Sequence, residues 1–404
     1  MKKLKVLHLC SSDMGGAFMI AQKISNELLL KGIESELIIY SGKNNNFKIT
    51  GIKLLDNFIK FSLHAMEKFI FLFYEKDKKM RFTFSLGFPG IPYYYIKKKI
   101  VNCDIVHIHW INKGFVNVKD LTKFKKPIVW TTHDIWIATG GCHLSFDCDK
   151  FKIGCGNCFY LKNLNENDLS SKLYKTKLRI VEKLNVSFVS PSNWMLTNLK
   201  SSLITQNSNL INIPNGINVN IFHKQFIERE NDVFNVGFVS ANLSDSNKAM
   251  YRLIEALNLI HKSNKKININ LVLIGKYKSE NPIGCLFPIT KIDFVSSQEE
   301  MSKMYNQIDL LSVTSTLETF PTTIIEAGCC GVPSIAFNVG GISDIITEEV
   351  GELIDPFDIE KYSEGILKIL LSKDKYQFLD KFMLQKYGIS SIVDNYIDLY
   401  KKMI

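Results

Sequence analysis

Nowhere in its 404 residues does the chain hold an uninterrupted apolar run approaching the roughly 18 residues that a membrane-spanning helix requires. Its opening, Met1-Lys2-Lys3 followed by a short strand-like run, has no signal-peptide core, so the chain is expected to stay in the cytoplasm. Internal repeats and low-complexity segments are also missing. With 46% hydrophobic and 22% charged residues, the composition excludes a fibrous, disordered or miniature disulfide-stapled chain. At roughly 150 residues per domain, the length predicts two to three domains.

What is present is unevenly spread. Fifty basic against forty acidic side chains leave +10, and residues 58–100 alone carry nine Lys/Arg against three Asp/Glu together with twelve aromatic rings. Such a basic, aromatic segment suits an anionic bilayer surface, a phosphorylated lipid or a nucleic acid. Nucleic acid is disfavoured, because the positive charge is local and no reader motif accompanies it. Phe58 to Lys79 reads as a helix in which Phe58, Phe61, Ala65, Phe69 and Leu72 form a stripe expected to pack on its own domain. The lysines from Lys76 to Arg81 and Lys97 to Lys99 are left to meet anionic headgroups.

Short β-branched runs alternate with longer helical ones, the pattern of a parallel sheet covered by helices on both faces. Strands are expected at Leu4–Cys10, Glu34–Tyr40, Asp104–His109, Ile128–Thr132 and Val186–Ser190. After Pro214 the run Asn215-Gly216-Ile217-Asn218 breaks the alternation, which then restarts. The fold class predicted is α/β, with two doubly wound Rossmann-like domains facing across a cleft. Their bounds are 1–214, carrying a Cys-rich loop at 140–160, and 232–385, with a linker at 215–231 and a C-terminal helix at 386–404 expected to pack back on the first domain.

Glu318 and Glu326 flank seven residues at the end of a strand and the start of a helix. Thr322 or Thr323 can cap that helix, whose amides would seat phosphate oxygens, while Glu326, about one turn further in, can take two hydrogen bonds from a ribose diol. Glu318 would reach the sugar side. Four cysteines, Cys142, Cys148, Cys155 and Cys158, fall within seventeen residues and end in Cys-x-x-Cys. In a reducing compartment this spacing suits a structural zinc; the alternatives are four reduced thiols or two stress-induced disulfides. The remaining five cysteines read as small buried hydrophobes.

The stretch from Glu318 through Phe320, Pro321, Thr322, Thr323 and Glu326 to Ala327-Gly328, then Gly331-Val332-Pro333 and Gly340-Gly341-Ile342-Ser343-Asp344, resembles the signature of family 4 glycosyltransferases, which have the GT-B fold. Gly15-Gly16, Thr132-His133-Asp134, Pro191-Ser192 and Ile213 to Ile217 follow in the family's order, and the segments around His107 and Gly140-Gly141-Cys142-His143 resemble a subgroup that builds cell-surface polysaccharides. The resemblance implies a retaining, metal-independent transfer of a sugar from a nucleotide-sugar donor to a hydroxyl of a saccharide acceptor, lipid-linked or growing at the surface. It implies roles for Gly15 and Gly16 beside a diphosphate or acceptor, for His133 against the donor sugar, and for Lys248 on the leaving diphosphate. His107 and His109 read as packing or acceptor contacts. The family's arginine is absent from Gly237 to Asn242, and Ala249 replaces a glycine; Asn242, Ser240 or Arg252 would have to compensate. A nucleotide-sugar epimerase of the same fold and a catalytically silent saccharide-binding subunit are the rival readings.

Overall fold

A computed structural model describes the chain apart from residues 1–2, 79–82, 227–232, 264–265, 278–283, 294 and 296. The chain divides into two units, Met1–Gly216 with Ser390–Ile404, and Ile217–Ile389. Apolar runs without polar alternation need cover on both faces, and in each unit they form a six-stranded parallel sheet.

In unit 1, β1 (Lys5–Ser12), β2 (Glu34–Ser41), β3 (Ile105–Trp110), β4 (Ile128–Thr131), β5 (Val186–Ser190) and β6 (Asn209–Asn212) pair in the order β2-β1-β3-β4-β5-β6. In unit 2, β7 (Val233–Asn242), β8 (Asn268–Lys276), β9 (Ile289–Ile292), β10 (Leu310–Val313), β11 (Ser334–Phe337) and β12 (Gly351–Ile354) pair as β12-β11-β10-β7-β8-β9. The edge strands β6 and β12 have a neighbour on one side only and lack the fully buried pattern of β5 or β10, so their apolar signal is faint. Each order reverses once, at β1/β3 and at β7/β10. A doubly wound sheet binds ligands beyond the carboxyl ends of its strands at such a reversal.

Helices α1 (Gly16–Leu30), α2 (Lys53–Leu72), α3 (Tyr94–Asn102), α4 (Leu169–Val181) and α5 (Asn193–Ser201) belong to unit 1. Unit 2 holds α6 (Met250–Ser263), α7 (Gln298–Asn306), α8 (Thr322–Cys329), α9 (Ile359–Leu371) and α10 (Leu379–Tyr387). The final helix, α11 (Ile389–Met403), returns to unit 1 and buries Ile392, Tyr396 and Leu399, the stripe its periodicity marks.

Three expectations need correcting. The segment expected to be a linker at 215–231 is, from Ile217 to Phe222, part of unit 2: both residues are buried in its core, and the Ile217 amide donates to the Tyr387 carbonyl at 2.8 Å. Residues 227–231 lie outside the described ones. The terminal helix begins at Ile389 rather than 386, because α10 runs through Tyr387 and stops at Gly388. The third concerns α2. Its stripe faces outward: Phe58, Phe61, Phe69 and Leu72 are exposed, and Asp56, Lys60, Glu67 and Phe71 are buried instead.

Candidate functional site

In unit 2 the reversal point is built from two loops. One follows β7 and holds Asp245 to Ala249; the other follows β10 and holds Thr314 to Pro321. They are stitched together locally: the Thr316 amide donates to the Asn247 carbonyl at 2.7 Å, Asn247 Nδ2 donates to the Leu317 carbonyl at 2.9 Å, and Thr314 Oγ1 donates to the Lys248 and Ala249 carbonyls, each at 3.0 Å. This brace presents Lys248 to Glu318, with Nζ 2.5 Å from Oε1. The Ser315 hydroxyl donates to the same oxygen at 2.7 Å. Burial works to lower the Lys248 ammonium's pKa, but the Glu318 carboxylate outweighs it, and the net shift is upward. Lys248 is therefore a fixed cation at neutral pH.

Behind Glu318 the chain passes Gly340, whose φ of +60° and 1.9 Å clearance from a notional Cβ to the Glu318 carbonyl leave room for glycine alone. The neighbouring Gly341 amide donates to that carbonyl at 2.8 Å. The Gly340-Gly341 pair thus holds the loop that carries the acid.

Neither Thr322 nor Thr323 caps α8. The N-cap is Pro321, no side chain closes the end, and both threonines sit half-buried in the first turn. Without a side-chain cap, the first amides keep their anion-binding capacity. Glu326 is half-buried one turn on, and the Tyr305 hydroxyl of α7 donates to its Oε2 at 3.1 Å. Tyr305 itself is fully buried and its pKa is driven well up, first by burial and then by Glu326, so it stays a donor. No local spacing could reveal Tyr305, which lies 21 residues upstream of its partner.

Other expected donor contacts fall differently. Phe320 is 7% exposed and lies edge-on to Tyr387, so its ring is packed against the core of unit 2. Exposed Asn242 lies at the end of β7, its Oδ1 accepting from the Ser244 amide at 3.1 Å, and the Ser240 hydroxyl donates to the Asn242 carbonyl. Arg252 acts as a brace: Nη1 donates to the Thr314 carbonyl at 3.2 Å and to Thr316 Oγ1 at 3.1 Å, and the guanidinium lies 4.0 Å over the Phe357 ring. Ala249 has a φ of 50°, a left-handed conformation that glycine adopts most readily. A separate cavity of about 740 Å³ near Lys224, Asp309 and Pro333 lies by the residues that precede β10 and β11, at their amino ends, where this fold does not place its ligands.

In unit 1, Gly15 and Gly16 follow β1, and a Cβ at either would meet nothing within 4 Å. From the middle of β1, through β3, to the loop just after β4 runs a chain of imidazoles. His8 Nδ1 lies 3.0 Å from His109 Nε2, and His109 Nδ1 lies 3.1 Å from His133 Nε2. Burial depresses His133 to about 4 and His8 to about 3, and His107 and His109 fall well below the ordinary value for the same reason. All four rings are therefore neutral at pH 7. His8 Nε2 is buried without a partner. An unpaired lone pair costs less than an unpaired N–H, so the favoured tautomers run outward: His8 donates to His109, His109 to His133, and His133 keeps its proton on Nδ1. Beside it, Asp134 accepts from His143 at 2.7 Å, from the Trp136 amide and from Trp110. His8 gives no sequence signal, sitting in the middle of an apolar strand.

Cys142, Cys148, Cys155 and Cys158 line one cavity of about 20 Å³. Burial raises three of these thiols, Cys158 to about 11, Cys155 to about 12 and Cys142 further. They are not drawn together as a ready ligand set: among the described residues, the three side chains whose donor atoms all lie within 4.8 Å are His8, His107 and His109. The Gly140 amide donates to Cys155 Sγ at 3.2 Å, and buried Lys177, pushed by burial to about 7, lies near Cys142 and Cys155.

Residues 221–382 match the family model of Glycosyl transferases group 1. Over almost all of its length, unit 2 thus resembles a group 1 glycosyltransferase domain, in keeping with the likeness that its motifs carry. The putative colanic acid biosynthesis glycosyl transferase WcaC of Escherichia coli is 22% identical over 64% of this chain and 65% of its own. The capsular polysaccharide biosynthesis glycosyltransferase CapM of Staphylococcus aureus is 27% identical over 35% of this chain and 37% of its own. The chain spans less than two thirds of the length of these curated relatives. Among solved structures, a sucrose-phosphate synthase from Thermosynechococcus elongatus superposes with a TM-score of 0.68 at 16% identity, covering 99% of both chains. Anabaena HepE, in complex with UDP and glucose, superposes at 0.61 and 14% identity, covering 99% of this chain and all of that one. These likenesses establish the two-unit GT-B fold.

Proposed function

We propose that the protein is a retaining glycosyltransferase that moves a sugar from a nucleotide-sugar donor to a hydroxyl of a surface saccharide, lipid-linked at the cytoplasmic face of an anionic membrane. The observation that carries the reading is the grouping at the unit 2 reversal point: the Lys248–Glu318 pair, the uncapped end of α8, and Glu326 oriented by Tyr305. Glu326 takes the ribose diol, the amides at Thr322 and Thr323 take the diphosphate, and Glu318 lies toward the sugar. Lys248 neutralises charge as the diphosphate leaves, a role that a divalent ion plays elsewhere. The departing phosphate face can accept the acceptor's proton, so no separate base is assigned. His133, whose Nδ1 keeps the proton in the favoured tautomer, is proposed as a hydrogen-bonding contact to substrate. The relatives named for colanic acid and capsule biosynthesis support the saccharide acceptor.

The test is a panel of nucleotide sugars scored first by thermal stabilisation. A donor present at about 100 times its dissociation constant raises stability by about 2.7 kcal/mol. The stabilising donor is then incubated with and without saccharide acceptors. Nucleoside diphosphate release that requires acceptor, and that Glu318→Ala abolishes, is the expected result. Sugar isomerisation without acceptor would make the protein an epimerase; binding without any release would make it a silent subunit.

The cysteine loop is proposed to hold a structural zinc that closes it. Supporting this are the four thiols that line one small cavity, where the sulfurs would have to draw closer to ligate, and the buried Lys177 as a countercharge to thiolates. Metal binding would displace the thiol protons. After desalting, purified protein is expected to retain about one equivalent of zinc, and less than about half would remove the site.

A further inference from the structure

Helix α2 turns its charged residues inward and its rings outward. Asp56, Lys60 and Glu67 are each no more than 5% exposed, whereas Leu54 is 83%, Phe58 66%, Phe61 70%, Phe69 61% and Phe73, just past the helix, 64% exposed. The inward contacts are specific. Asp56 accepts from the Ile49 and Thr50 amides and the Thr50 hydroxyl; Lys60 donates to the Phe47 carbonyl at 2.6 Å and to Asn45; Glu67 Oε1 accepts from the Leu86 amide at 2.8 Å. These bonds fix the rotation of the helix, so the outward stripe is a built feature of unit 1. A soluble monomer rarely leaves so large a contiguous apolar face to water.

Charge identifies what covers it. The two carboxylates of α2, Asp56 and Glu67, are the ones buried, which leaves no acid on the outward face. Lys48 and Lys53 at its start and Lys76 and Lys78 beyond its end are exposed, as are Lys97 and Lys98 of α3. Rings between terminal cations match a helix lying in the headgroup layer of an anionic bilayer. A second copy of the chain fits less well, because the flanking lysines of two copies would meet around the seam. No helix among the described residues is long and apolar enough to cross a membrane.

We propose that α2 is an interfacial anchor, with Leu54, Phe58, Phe61, Phe69 and Phe73 among the upper acyl chains and the flanking lysines on lipid phosphates. This deepens the membrane contact proposed above and rests on no step of the transfer chemistry. The test is flotation of the full chain with vesicles of phosphatidylglycerol and phosphatidylcholine, or of phosphatidylcholine alone, without donor or acceptor. The wild type is expected to float with the anionic vesicles and to be released by salt. A Phe58→Ser/Phe61→Ser/Phe69→Ser variant is expected to partition about 1000-fold less, at about tenfold per ring. All three residues are exposed, so its thermal midpoint should match the wild type. Lys53→Glu/Lys76→Glu/Lys78→Glu should lose the preference for anionic lipid while keeping the fold. Wild type that stays with the soluble fraction, or a serine variant that floats equally well, overturns the proposal. A solution dimer that the serine variant dissolves also overturns it, because the face would then belong to a second copy.

Discussion

Replacing Lys248 with methionine is expected to lower turnover by about 10²–10³-fold, the range seen when one preorganised donor to developing charge is removed. The stretch Gly237 to Asn242 holds no arginine, and Arg252 is occupied by Thr314 and Thr316, so in the proposed site Lys248 is the fixed cation left for the diphosphate. Methionine keeps the length of the stem and removes the charge. It also leaves the half-buried Glu318 uncompensated, which by itself could weaken the loop. The double variant Lys248→Met/Glu318→Gln isolates the second effect through stability alone: it should recover the thermal midpoint, whereas its activity carries no information because Glu318 belongs to the proposed site. The measurement is nucleoside diphosphate release with the stabilising donor. Turnover of Lys248→Met within about threefold of wild type would show that leaving-group charge is handled elsewhere.

The second large effect is on stability in acid. His133 titrates near 4 and His8 near 3 in the folded chain, both pushed down by burial, against about 6.5 when unfolded. As pH falls below about 6.5, the unfolded state takes up protons that the folded state refuses, so stability declines until the folded rings also protonate. For His133 alone, the decline is about 1.4 kcal/mol for each pH step of one between those two limits, and it reaches about 3 kcal/mol by pH 4. His107 and His109 act in the same direction. Asp134, which faces His133 and is held below its ordinary value by its His143 partner against the pull of burial, adds its own loss at still lower pH. Lys177 works in another window: folded at about 7 and unfolded near 10.5, it makes stability rise above neutrality. Denaturant midpoints of the unit 1 transition at pH 7, 6, 5 and 4 measure the effect, and His8→Leu should flatten the decline. A midpoint that held steady from pH 6.5 to pH 4 would mean the imidazole chain is hydrated and protonated in the native protein.

How far the sequence can be read depends on whether partners are local. Glu318, Thr322 and Glu326 lie on one strand end, loop and helix start, so their spacing predicts their grouping. Lys248 is reached through resemblance, and its pairing with Glu318 crosses 70 residues. Tyr305 and His8 are legible only in three dimensions, since a tyrosine on α7 and a histidine inside a strand look like ordinary packing. In α2 the apolar period is plain, yet periodicity has no sign. It shows that one face differs from the other without saying which one meets the protein. The inward hydrogen bonds of Asp56, Lys60 and Glu67 decide that: the first two depend on backbone groups of the loop before α2, at Phe47, Ile49 and Thr50, and the third on the Leu86 amide beyond it. For the cysteines, spacing announces a cluster, but sulfur positions depend on a loop with left-handed backbone at Phe146, Cys155 and Asn157 that no propensity forecasts.

Helix α11 is encoded after the whole of unit 2, yet its Tyr400 hydroxyl lies 2.7 Å from His107 Nδ1 and its Tyr396 hydroxyl 3.0 Å from Thr131 Oγ1, both in the centre of the unit 1 sheet. On the ribosome, therefore, the first sheet to be synthesised cannot close its polar centre until unit 2 has been translated. Completion of the amino-terminal sheet's polar centre waits for α11, which carries Tyr396 and Tyr400.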